Sequence, residues 1–276
     1  NVPCPSQNSE TEDYLTADYW ANVRNLVKEK YGDIYILPQC ASAGDMSPRT
    51  LHARAAEDRK YALKYEGITF EGIKGPREMY NRMEIAERIM TAFDDTYAWA
   101  SKDKIHDAKL SHTVKNVKLE AWKISEEQYK SAKEEYAFYQ KQGFVSTDDK
   151  YKDFKENTIH SFVLWRYENI IERYEKNIDF YEPEIHVISL GDIAFVSNPF
   201  ELYISYQHRI QARSPFVQTF AVQLAASTGV RGYLCTAPAA ENMGYSANIY
   251  SCSVSPKGGD TLVEETLAEL EKLHAQ

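Results

Sequence analysis

The sequence predicts an α/β fold: a mixed β-sheet packed by helices, with a helical excursion in the middle of the chain. Near the C-terminus, two apolar runs, EIHVISL and IAFVS, are joined by Gly191-Asp192, a pattern typical of a hairpin. A further apolar run at residues 216–226 predicts another strand. Between them and the N-terminal segment, apolar side chains recur at the three-and-four spacing of amphipathic helices. Strands combined with long helices indicate an α/β domain.

Length and composition limit what the protein can bind. We expect residues 1–276 to form a single domain, with a mostly helical segment at about residues 50–182. A formal net charge of −9 argues against a nucleic-acid partner, because phosphate binding requires a basic face. No apolar run approaches the roughly 20 residues that cross a bilayer.

Four cysteines show neither a C-x-x-C pair nor the spacing of a zinc finger. We therefore expect unpaired, small core residues, which favours a reducing compartment such as the cytoplasm. They are Cys4, Cys40, Cys235 and Cys252.

The N-terminal elements are short. Residues 18–31 predict a helix that stops at Gly32, and residues 34–40 predict a strand. The turn Gly44-Asp45-Met46-Ser47-Pro48-Arg49 follows. Ser47 has two interpretations: it is the N-cap of a helix beginning near Pro48, or it is a functional hydroxyl presented on a rigid turn.

The middle of the chain predicts structural elements only. A helix opens at Pro76, residues 114–122 predict a strand, and Ser125 with Gln128 forms a capping box for the next helix. A polar break at residues 143–149 precedes a long helix at 155–180. The C-terminal helix is predicted to start with a second capping box, Thr261 with Glu264, and to bury an inner face of Leu262, Leu267 and Leu270.

Glu201 follows the predicted hairpin, in the run Asn198-Pro199-Phe200-Glu201. The proline predicts a helix start there, which places Glu201 in the first helical turn. A carboxylate at that position is stabilised by the helix dipole in any protein, so the position by itself indicates no function. Tyr233 and Tyr245 lie further along, twelve residues apart.

Taken together, these runs resemble the catalytic domain of the neutral/alkaline (non-lysosomal) ceramidases. The resemblance implies that Glu201 and Tyr233 are zinc ligands and that Cys4 occupies the place of a histidine ligand. It also implies that Ser47 and Tyr245 are catalytic.

The same resemblance places Asp45 and Arg49 in the substrate-binding turn. Three residues depart from the family pattern: Cys4 replaces a histidine, Arg49 replaces an asparagine, and Phe200 replaces a glycine. A family motif of the His-Thr-His-Ser type would precede Asn1, which implies an N-terminal part beyond this sequence.

The activity implied is that of a zinc-dependent amidohydrolase that cleaves an N-acyl amide bond in a small-molecule or lipid substrate. The alternative is a non-catalytic relative that binds an apolar-tailed ligand without metal. The family resemblance is compatible with a secreted protein, whereas the unpaired cysteines favour the cytoplasm. The sequence therefore assigns no compartment.

Overall fold

A computed structural model describes residues 1–10, 12, 14–50, 52–70, 76–225, 230 and 232–276. These residues have an α/β fold, as predicted. Their helices are α1 (Tyr19–Tyr31), α2 (Arg54–Lys64), α3 (Arg77–Ala100), α4 (Glu126–Gln142), α5 (Lys150–Glu175), α6 (Ile204–Arg213), α7 (Ala237–Glu241) and α8 (Pro256–His274). Their strands are β1 (Leu110–Asn116), β2 (Leu119–Glu120), β3 (Phe180–Tyr181), β4 (Glu184–Leu190), β5 (Ile193–Ser197), β6 (Glu201–Leu202), β7 (Gln218–Val222) and β8 (Tyr233–Leu234).

The main sheet has four strands in the order β1-β4-β5-β7. Strands β1, β4 and β5 pair antiparallel, and β7 pairs parallel to β5, so the sheet is mixed. The predicted hairpin is confirmed: β4 turns into β5 at Gly191-Asp192, where Gly191 has φ +61°. Strand β7 is shorter than the predicted run of 216–226, and Ala226 lies outside the described residues.

The main hydrophobic core lies between one face of this sheet and helices α6 and α8. Leu262, Leu267 and Leu270 of α8 are buried there, as predicted. Gly259 permits the close approach of α8 to α6, because a Cβ at this position would lie 2.3 Å from the hydroxyl of Tyr206. The opposite face of the sheet is more open and exposes Leu110, Val114 and Leu190.

Two further clusters organise the helical part. Helices α1 and α3 pack through Val23, Val27, Ala86 and Met90. Helices α4 and α5 form an antiparallel pair, and the predicted capping box of Ser125 at the start of α4 is confirmed.

Three predicted elements between residues 34 and 180 differ from the structure. Residues 34–40 form no strand. Within this range only Cys40 takes part in a β-bridge, an isolated one with Val2, and Tyr35 and Leu37 project into solvent. The strand predicted at 114–122 is divided between β1 and β2. The division falls at Val117, whose amide donates to the carbonyl of Pro183. The helix predicted at 155–180 begins earlier, at Lys150, where the Asp149 side chain caps it.

The C-terminal capping box is also wrong. Helix α8 begins at Pro256, and its N-cap is Ser255, whose side chain accepts a hydrogen bond from the amide of Gly258. Thr261 lies inside the helix, where its hydroxyl donates to the carbonyl of Lys257. No helix within the described ranges combines the length and the apolar character that a bilayer crossing requires.

Candidate functional site

Glu201 and Tyr233 are direct partners in a two-stranded parallel sheet formed by β6 and β8. Their backbones are joined by a hydrogen bond from the Glu201 amide to the Gly232 carbonyl, at 3.0 Å. Because paired residues of neighbouring strands point to the same face, both side chains lie on one side of this small sheet.

This arrangement corrects the prediction that Glu201 lies in the first turn of a helix. Glu201 is extended, and α6 begins three residues later, at Ile204. The reason is tertiary: the Phe200 side chain is fully buried in the main core and β8 offers a strand to pair with, so the backbone stays extended. Local sequence could not show that partner, which comes more than thirty positions later.

Three side chains meet above this sheet. The phenol of Tyr233 lies close to the Glu201 carboxylate and to Tyr245. The two tyrosine rings meet edge to face, with centroids 5.9 Å apart. Burial, followed by the nearby Glu201 carboxylate, raises the pKa of Tyr233 well above its ordinary value. Tyr245 is 83% exposed and forms the outer end of this Glu-Tyr-Tyr cluster.

The loop that carries Tyr245 is anchored on both sides of this residue. The carbonyl of Tyr245 accepts hydrogen bonds from the Ser251 hydroxyl at 2.7 Å and from the side-chain amide of Asn248 at 3.2 Å. The next residue, Ser246, is hydrogen bonded through its hydroxyl to that of Tyr203, at 2.7 Å. The exposed ring of Tyr245 therefore stands on a fixed backbone.

The turn that contains Asp45 lies against β6. The Gly44 amide donates to the Leu202 carbonyl at 2.9 Å, and a Cβ on Gly44 would lie 2.2 Å from the carbonyl oxygen of Glu201. Asp45 accepts a hydrogen bond from the amide of Ile204, at 2.8 Å, which satisfies a free donor at the start of α6. The predicted role of Asp45 in substrate binding stays a prediction.

Gln223 connects this turn to β6, and the sequence reasoning missed it. Its side-chain oxygen accepts from the amides of Ala43, at 2.9 Å, and Leu202, at 3.1 Å. Its side-chain nitrogen donates to the sulfur of Cys40, at 3.3 Å. The available signal was a glutamine at an inward-facing position of the predicted 216–226 strand, since a buried amide needs partners.

Ser47 and Arg49 occupy the exposed continuation of the same turn. The hydroxyl of Ser47 accepts a hydrogen bond from the Arg49 amide, at 3.1 Å. The helix-capping interpretation of Ser47 is wrong, because the chain forms a turn here and the next helix starts at Arg54. Arg49 forms an ion pair with Glu10 and lines a cavity of about 110 Å³.

Comparison with known proteins gives a match in structure and none in sequence. The sequence matches no protein-family model and no curated protein. The structure resembles that of neutral ceramidase from Pseudomonas aeruginosa, with a TM-score of 0.54 and 12% identity over 98% of this chain and 44% of that chain. It also resembles a ceramidase complexed with C2, with a TM-score of 0.53 and 10% identity over 99% of this chain and 45% of that chain.

The chain has the fold of the neutral ceramidases. The family resemblance drawn from the motifs is thereby confirmed at the level of fold, while the low identity carries no information on activity. This chain spans less than half the length of the two ceramidases that it matches.

Cys4, which the resemblance predicts in the place of a histidine ligand, is a poor metal donor in this fold. Its sulfur is directed to the Pro5 carbonyl at 3.8 Å, and its own carbonyl faces the sulfur of Cys40 at 3.9 Å. Burial, followed by the proximity of Cys40, raises the pKa of the Cys4 thiol to about 11. All four cysteines are free, as predicted, but only Cys235 and Cys252 are buried core residues, whereas Cys4 and Cys40 are partly exposed.

A ceramidase-type zinc centre is not completed by the residues described here. A catalytic zinc site generally has three protein ligands and a water molecule. Glu201 and Tyr233 supply two oxygen atoms, and Cys4 is turned toward a carbonyl. Within the described ranges, no group of three or more His, Cys, Asp or Glu side chains is arranged to hold a metal ion.

Proposed function

We propose that this protein carries part of a neutral-ceramidase-type active site that hydrolyses an N-acyl amide bond. The observation that carries the proposal is the Glu-Tyr-Tyr cluster, in which Glu201 and Tyr233 are paired in a ceramidase fold with Tyr245 at the solvent side. The substrate class, a small-molecule or lipid amide, comes from the names of the structures that share the fold.

The cluster has the groups that amide hydrolysis requires. The carbonyl oxygen of the amide becomes negatively charged in the transition state, so hydroxyl donors aimed at it accelerate the reaction. Tyr245 has an exposed hydroxyl that is free to approach a substrate, and the phenol of the adjacent Tyr233 is a second donor. The Glu201 carboxylate is an acceptor for the proton of an attacking water molecule.

The neighbouring turn provides further substrate contacts in this proposal. Ser47 is exposed and its hydroxyl hydrogen remains available, because its oxygen only accepts from the Arg49 amide. We assign Ser47 to orienting the substrate, and Asp45 and Arg49 to the wall of the binding site. Zinc is part of this proposal only on one condition. The ligands that Glu201 and Tyr233 do not supply would have to come from outside the described residues.

The alternative is a non-catalytic relative that binds an apolar-tailed ligand. The observation that favours it is the incomplete donor set for zinc among the described residues. In that protein the cluster of tyrosines would hold a ligand headgroup and no bond would be cleaved.

An activity assay with single hydroxyl deletions distinguishes the two functions. A fluorogenic short-chain N-acyl amide is incubated with the wild type and with Tyr233→Phe, with zinc added or chelated. We expect turnover in the wild type and a loss of about 100-fold in the variant, the size typical of one lost oxyanion donor. Tyr129→Phe is the matched control, because it deletes a tyrosine hydroxyl that also lies beside a glutamate, Glu175 at 2.7 Å, outside the Glu-Tyr-Tyr cluster. Saturable binding without turnover would favour the alternative.

A further inference from the structure

A second cavity lies at the C-terminal end of α5, where no part of the proposed active site contributes. It has a volume of about 290 Å³ and is lined by the 121–124 segment, the last turn of α5 and β3. Two of the side chains that line it, Lys123 and Arg173, are cationic, and none is acidic. The remaining walls include Trp122, Tyr174 and Tyr181.

Arg173 is the buried cation among the residues that line this cavity. Only 6% of its surface is exposed, which is unusual for an arginine without an acidic partner. Its guanidinium donates to the carbonyls of Ile249, at 2.6 Å, and Trp122, at 2.9 Å, and lies near Tyr181. These neutral partners fix the orientation of the guanidinium.

The charge of Arg173 has no ionic partner within the described part of the chain: none of its carboxylates forms an ion pair with this guanidinium. Burial lowers the pKa of Arg173, which reflects the cost of holding its charge away from water. Lys123 differs, because its ammonium is ion-paired with Asp179 and hydrogen bonded to Asn177. Arg173 is thus the uncompensated cation of the cavity.

A buried charge is costly unless a group of opposite charge compensates it. An anionic ligand would do so. A guanidinium has five N–H donors, the bonds to Ile249 and Trp122 use two of those of Arg173, and the others match the oxygens of a carboxylate. The aromatic and aliphatic walls, among them Trp122, Tyr174 and Ile124, suit an apolar body attached to that carboxylate.

We propose that this cavity is a binding site for a small organic carboxylate with an aromatic or branched apolar body. The carboxylate pairs with Arg173, and the apolar body packs against Trp122 and the neighbouring side chains. This site shares no residue with the Glu-Tyr-Tyr cluster, so its test does not depend on the proposed function.

The test uses two ligands of the same shape, benzoate and benzamide, which differ in charge. Each is titrated into the wild-type protein by calorimetry, with tryptophan fluorescence as a second signal because Trp122 lines the cavity. We expect benzoate to bind at least 10-fold more tightly than benzamide. Equal binding of the two ligands, or no binding of either, would overturn the proposal.

Variants assign the effect to Arg173. Arg173→Gln is expected to remove the preference for benzoate, whereas Arg213→Gln, at an arginine paired with Glu264 on the surface, should retain it. Where Arg173→Gln does not fold, the comparison of the two ligands in the wild type decides. Inorganic phosphate is the third probe: an affinity equal to that of benzoate would contradict the apolar part of the site.

Discussion

Glu201 and Tyr233 occupy directly opposed positions of two parallel strands, and the carboxylate of Glu201 lies close to the phenol of Tyr233. A hydrogen bond to a charged group contributes about 1.5–3 kcal/mol when buried, and less when solvent reaches it. We expect Tyr233→Phe to lower the free energy of unfolding by about 1 kcal/mol, measured by chemical denaturation. Glu201→Gln should lower the free energy of unfolding by about as much, because the uncharged amide interacts less strongly with the phenol than the carboxylate does.

A double-mutant cycle with Tyr233→Phe and Glu201→Gln checks that the two residues act together. The combined variant should cost clearly less than the sum of the single changes, since each removes part of the same interaction. Strict additivity would contradict the contact. The same variants, assayed for turnover, should lose activity by far more than their stability loss explains.

The second prediction concerns Ser47. The Ser47→Ala variant should lose turnover while its melting temperature stays close to that of the wild type, because this exposed hydroxyl accepts one local hydrogen bond and caps no helix. Ser125→Ala is the matched control, since Ser125 is the N-cap of α4 and its loss should cost about 1 kcal/mol with activity unchanged. A Ser47 variant that is destabilised and fully active would show that the catalytic assignment is wrong.

The third prediction concerns the contact between Gly44 and β6. Gly44→Ala would place a Cβ 2.2 Å from the carbonyl oxygen of Glu201, and both atoms of this clash are held by backbone. We expect β6 to shift, with a stability loss of more than about 2 kcal/mol and a loss of turnover. Gly244→Ala is the control, because nothing lies within 4 Å of its Cβ position. Equal melting temperatures of these two variants would contradict the close approach.

The sequence predicted the elements that local signals specify. The hairpin at Gly191-Asp192 and the capping box at Ser125 depend on residues a few positions apart, and both are present. The same kind of signal failed at Glu201, where a proline indicated a helix but the distant strand β8 and burial of Phe200 hold the chain extended. Tertiary pairing overrides local propensity at such positions.

Only some residues of the candidate site could be predicted from the sequence. The resemblance to the ceramidases pointed to Tyr233 and Tyr245, two residues that the fold brings together with Glu201. Gln223 was missed, because its role depends on joining the turn at Ala43 to β6, two segments remote from each other in sequence. Long-range polar contacts of this kind leave little trace in a single sequence.

The last prediction concerns metal content and separates the enzyme from the binding protein. Glu201 and Tyr233 supply two donor atoms, whereas a hydrolytic zinc site generally has three protein ligands. Cys4 would have to lose its proton and turn from the Pro5 carbonyl to become the third. We therefore expect residues 1–276, purified and dialysed, to retain less than one equivalent of zinc by elemental analysis.

Two variants make that measurement decisive. If one equivalent of zinc is retained, and if it is lost both in Cys4→Ser and in Glu201→Gln, the prediction is wrong and Cys4 is a ligand. Cys235→Ser is the matched control, because Cys235 is a free thiol buried in the main core. Retention of zinc in this control but not in the other two variants would place the metal at Glu201 and would favour the amidohydrolase over the non-catalytic relative.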